Sequence, residues 1–145
     1  KGTLNSNLFA TTSNKINSDV FIREQIGDGL VELIENGKLV SKEMTKLLTN
    51  HIQKLLHYNI DYLVLGCTHY PYLIPQIKEI IGQNITIIDS GLAVAKQTKR
   101  ILKQHMLLNS KSINTTSIFY TNTSKKVLKH VLSDSKKISI EELDF

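Results

Sequence analysis

The sequence predicts an α/β protein built on a parallel sheet, and three observations carry that expectation. Strand, turn and helix recur at least three times along the chain. Two strand candidates, YLVLG at residues 62–66 and ITII at 85–88, are short continuous apolar runs, the form a strand takes when a parallel sheet is covered on both faces. Each of the two runs into a small polar segment, Cys67-Thr68-His69 and Asp89-Ser90-Gly91, before a helical pattern resumes.

Taken in order, residues 1–18 are rich in Asn, Ser and Thr and read as a turn, a short helix and a loop. DVFIRE at 19–24 alternates enough for a short strand. Gly27-Asp28-Gly29 then breaks the chain ahead of LVELIENG at 30–37, a short helix with Gly37 as its C-terminal stop. Ser41 suits the N-cap of the clearest helix. There Met44, Leu47, Leu48, Ile52, Leu55 and Leu56 form one apolar stripe that carries through about Tyr58.

After the 62–66 strand and Cys67-Thr68-His69, Pro75 fits the first turn of a helix that stops at Gly82. The 85–88 strand leads into a long helix from about Leu92 to Leu107. A loop around 109–116 follows, then SIFYT as a strand, TSKKVLKHVLSD as a helix and ISIEEL as a last strand.

Composition narrows the function classes. The 145 residues are 41% hydrophobic and 21% charged, ordinary values for a globular protein. No apolar run approaches a membrane span and no start resembles a signal peptide, so the expectation is a cytoplasmic protein without a membrane partner. A single cysteine excludes an internal disulfide framework. The formal net charge is +5, but the lysines scatter over predicted helix faces and are not interleaved with aromatics. A solvated basic face is the expectation rather than a nucleic-acid surface.

Ligands of open parallel sheets bind beyond the carboxyl ends of the strands. That rule collects Cys67, Thr68 and His69, then Asp89 and Ser90, then Thr121 and Asn122. A thiol between a strand and a helix lies near free backbone N–H groups and the positive end of a helix dipole, an environment that favours thiolate. The adjacent imidazole can do the same, or can relay a proton. A lone cysteine is also often an inert buried residue. Zinc is a poor fit, because Cys-x-His offers two ligands and the chain holds no other cysteine. His51, His57, His105 and His130 fall on predicted helices and are assigned to surfaces or helix ends.

GCTHYP at residues 66–71 resembles the second cysteine motif of the glutamate racemases, within the aspartate/glutamate racemase superfamily. Three weaker segments fall in the same order: KGTLNSN at 1–7 resembles the Gly-Thr-Val-x-Ser segment, LVELIENG at 30–37 the Leu-Val-Glu-x-Gly segment, and IIDSG at 87–91 the Ile-Asp-Ser that follows the motif. The resemblance spans essentially the whole chain. It implies a flavodoxin-like racemase fold and inversion of the glutamate α-carbon by two cysteines on opposite faces, with neither metal nor pyridoxal phosphate as cofactor. It implies Cys67 as one acid–base group, His69 as its proton-moving neighbour, Thr68 and Thr3 as substrate-binding residues and Glu35 as a supporting acid. For Thr3 and Glu35 a turn hydroxyl and a solvated helix end are equally open.

The resemblance is to the C-terminal portion only. The family's first cysteine motif, Gly-Cys-Asn-Thr, does not occur in the chain. Residues 1–88 are expected to form most of the second α/β domain and 89–145 a return segment belonging to the first. The implied partners are glutamate, the missing N-terminal half and further copies of the chain. The implied role of the complete enzyme is to supply D-glutamate for peptidoglycan, the chain alone being inactive. Two alternatives stay open: an aspartate racemase-like enzyme, whose second motif has Cys-Thr-Glu where this chain has Cys-Thr-His, and a non-catalytic binding fragment resembling the racemases that inhibit DNA gyrase.

Overall fold

The computed structural model describes residues 4–16, 19–109, 116–122, 124–132 and 137–145. They form two compact units, one of Lys1–Ile34 with Lys38–Ser90 and the other of Glu35–Gly37 with Gly91–Phe145. Of the loop predicted around 109–116, residues 110–115 lie outside the described residues, as do Thr3 and the side chain of His130.

In the first unit, α1 (Asn7–Ser13) is capped by Ser6, whose side chain accepts from Phe9 N–H at 3.1 Å. The segment 19–24 is not a strand. Its backbone is irregular and its apolar side chains are exposed, Phe21 to 85%. A strand needs a neighbour to close its ladder, and among the described residues none pairs with this segment.

The helix α2 (Leu30–Glu35) ends as its sequence predicts. Gly37 takes φ +70°, which only glycine adopts at no cost, and Lys38 N–H closes the cap on Leu33 O at 2.8 Å. Ser41 caps α3 (Lys42–Leu56) by accepting from Met44 N–H at 3.1 Å. That helix stops two residues before the predicted end, where Asn59 turns left-handed at φ +50°.

Strands β1 (Tyr62–Val64) and β2 (Thr86–Ile88) are parallel, with Leu63 opposite Ile87. Between them run a 3₁₀ turn (Tyr70–Leu73) and α4 (Ile74–Ile81), which Gly82 ends at φ +71°. The apolar stripe of α3 buries Met44, Leu48 and Ile52 in one core with Leu30 and Ile34 of α2, Leu63 of β1, Leu65 just after it, and Leu73 and Ile77. Each such burial is worth roughly 1.5–3 kcal/mol.

Expected burial of both faces of the 62–66 strand does not hold. Leu63 and Leu65 face the core, while Tyr62 and Val64 on the opposite face are 62% and 66% exposed. Alternation makes this unavoidable, because the helical layer packed on Leu63 covers one side of the pleat.

In the second unit, α5 (Gly91–Gln104) precedes β3 (Ser117–Thr121), α6 (Lys125–Val131) and β4 (Ile138–Glu142). The two strands pair in parallel, Phe119 opposite Ile140. The strand-turn-helix units thus build two separate two-stranded parallel sheets among the described residues rather than one continuous sheet.

Candidate active site

The carboxyl ends of β1 and β2 lie side by side: Val64 is opposite Ile88, and Leu65 N–H donates to Ile88 O at 2.8 Å. Cys67-Thr68-His69 and Asp89-Ser90 therefore leave the same edge of the first unit, as the strand-end rule predicts. Thr121 and Asn122 close β3 in the other unit.

The tight turn after β1 sets the geometry. Tyr70 N–H donates to Cys67 O at 3.2 Å and Tyr72 N–H to His69 O at 3.2 Å, which opens the 3₁₀ turn with Pro71 in its first positions. This winding brings Cys67 Sγ to 3.8 Å from His69 Nδ1. Both residues are half-buried, and Thr68 between them is exposed. A thiol and an imidazole at that separation can share or pass a proton, and the half-exposed position leaves them reachable by a small molecule.

Tyr70 continues the turn inward. Its hydroxyl donates to Gly27 O at 3.4 Å, and its phenol is pushed above its ordinary range, first by burial and then by the negative charge of Cys67, Asp28 and Glu32. The Gly27-Asp28-Gly29 turn thus stands beside the cysteine turn. Glu35, at the end of α2, is exposed. Thr3 lies outside the described residues.

One histidine on a helix surface makes contacts of its own. His51, assigned to a helix surface, reaches from α3 to the backbone of Asp28, its Nε2 lying 3.0 Å from Asp28 O, and meets Gln25 through Nδ1 at 3.1 Å. Its place on the edge of the apolar stripe, one residue before Ile52, is the single sequence signal that could have found it.

Fold and site together define a class: an α/β protein with a cysteine-histidine pair at the carboxyl edge of a parallel sheet. Sequence and structure comparisons make this specific, and the chain is similar to glutamate racemases. It is 45% identical over 109 residues to the glutamate racemase of Pseudomonas syringae pv. tomato, covering 75% of this chain and 40% of that protein. Its fold matches glutamate racemase isoform RacE1 of Bacillus anthracis with TM-score 0.78 and 27% identity, over 99% of this chain and 55% of that one. It also matches the glutamate racemase of Francisella tularensis, solved with D-glutamate, with TM-score 0.76 and 25% identity, over 97% and 54%. No protein-family model matches. The chain spans about half the length of the curated relatives it matches.

Proposed function

We propose that the whole protein interconverts L- and D-glutamate, with Cys67 as the acid–base group on one face of the α-carbon. The observation that carries this is the 3.8 Å approach of Cys67 Sγ to His69 Nδ1 at the strand ends, in a chain related to glutamate racemases. The solved relative with D-glutamate supports the substrate.

An α-amino acid gives up its α-proton reluctantly, so the base must be close, aligned and paired with a group that stabilises the carbanion. As thiolate, Cys67 takes the proton from L-glutamate; as thiol, it returns one when D-glutamate reacts. His69 carries the proton to and from the sulfur. Thr68 and Thr3 bind the substrate, and Glu35 supports the site. No metal or organic cofactor enters these steps.

Inversion needs a second group on the opposite face, and this chain holds one cysteine. The opposite thiol therefore belongs to the part of the enzyme that precedes it. Residues 1–88 correspond in this reading to most of the second domain, and 89–145 to a segment returning to the first. The complete enzyme serves D-glutamate supply for the cell wall in the cytoplasm, and the chain alone does not racemise.

Solvent exchange tests the two-base reading. In deuterium oxide, the whole protein should convert L-glutamate to D-glutamate that carries deuterium at the α-carbon from the first turnover, because the donor is not the group that took the proton. Product that retains its protium would overturn it.

A further inference from the structure

The Gly27-Asp28-Gly29 turn, which the chemistry above leaves unused, is held from two sides. On one side Tyr70 donates its hydroxyl to Gly27 O at 3.4 Å, while its backbone N–H is bonded to Cys67 O. On the other side His51, projecting from α3, bonds Asp28 O at 3.0 Å.

The neighbours of His51 fix where its hydrogen sits. Gln25 points its amide nitrogen at the Ile26 carbonyl, 2.7 Å away, and a carbonyl only accepts. That same nitrogen is 3.1 Å from His51 Nδ1, so Nδ1 accepts from it. The imidazole hydrogen is therefore on Nε2, where it is donated to Asp28 O. Gln25 thus selects the tautomer that can hold the turn.

From these contacts we propose that His51 and Tyr70 are positioning residues, a two-sided latch that fixes the 27–29 turn, and with it the start of α2, against the Cys67 turn. The inference rests on the reading of Cys67 as an acid–base group. A turn with two glycines is otherwise free to sample many conformations. Gly27 O also accepts from Leu30 N–H at 3.3 Å, so one carbonyl joins the first turn of α2 to the ring of Tyr70. Movement of the loop reaches the cysteine backbone through that ring, and a displaced acid–base group loses much of its rate.

Cys67 is the only thiol in the sequence, so its alkylation by iodoacetamide reports on this turn alone. The test compares the full chain with Tyr70→Phe, His51→Ala and His51→Gln, the last keeping an amide donor near the position of Nε2. Two quantities are read: amide hydrogen exchange at residues 28–30 and the alkylation rate of Cys67. Losing either hydrogen bond should speed exchange about three- to tenfold and change the alkylation rate by about threefold or more, with His51→Gln returning both toward the parent.

Unchanged exchange, or faster exchange with an unchanged Cys67 rate, in folded Tyr70→Phe would overturn the proposal. Because that variant removes one oxygen and no packing, it decides the question even where His51→Ala does not fold. The racemase reading fails separately, if the whole protein keeps its activity on Cys67→Ser while exchange and alkylation respond as expected.

Discussion

Gly27 and Tyr70 are packed so closely that no side chain fits at residue 27. A Cβ there would lie 2.5 Å from Tyr70 Oη and 2.8 Å from Leu30 Cδ1. The backbone of the 27–29 turn is thereby seated on the tyrosine ring of the cysteine motif. Glycine at this position is required by close approach.

Gly27→Ala should destabilise the first unit by about 1–3 kcal/mol, the usual cost of overpacking. Four of the five tyrosines lie in that unit and the chain has no tryptophan, so urea unfolding followed by tyrosine fluorescence reads the loss. Tyr70→Phe removes the nearest atom, and Gly27→Ala should cost less in that background than alone. Equal costs in both would show that the contact is not what forbids the side chain.

Tyr70 should ionise above the ordinary tyrosine pKa of 10.0, because burial and the negative charge of Cys67, Asp28 and Glu32 oppose phenolate. The folded chain holds this proton more tightly than the unfolded one. Its contribution to stability is therefore full below pH 10.0 and falls as the pH rises above that value. Titration by phenolate absorbance should show a late component that disappears in Tyr70→Phe. A titration identical in the two proteins would contradict it.

Leu73 is fully buried at the end of the 3₁₀ turn that follows Cys67-Thr68-His69. Leu73→Ala should cost about 2–5 kcal/mol, enough to loosen the cysteine turn as well as the core. The expected result is a lower urea midpoint together with faster alkylation of Cys67. A midpoint within error of the parent would mean that the core does not support the turn.

The exposed face of Tyr62, Val64 and Ile88 on the first sheet breaks the rule that parallel sheets are covered on both sides. The chain should associate with itself through such apolar surface, and Val64→Lys should weaken that association. Sedimentation of the parent as a clean monomer at high concentration would contradict this.

Much of the fold was legible because its signals are local. Ser41, Gly37, Pro75 and Gly82 mark helix ends by their own chemistry, and all four act as read. The stop of α5 was not legible. Met106 adopts φ +56° and Leu107 N–H bonds Leu102 O at 2.8 Å, a cap usually made by glycine. The strand expected at 19–24 failed for want of a neighbour, which no local pattern reports. At the site, Cys67-Thr68-His69 stood out as adjacent residues after a strand. The roles of His51 and Gln25 depend on contacts 23 and 26 residues apart in sequence, and the place of His51 on the edge of the apolar stripe does not by itself name those partners.

The most direct test is conversion of L-glutamate by the whole protein, followed by circular dichroism, with Cys67→Ser beside the parent and the present chain alone. Activity in the parent, a loss of about 10²–10⁴-fold in Cys67→Ser and none in the chain alone is the predicted result. An active parent indifferent to Cys67→Ser would contradict the acid–base role of this thiol.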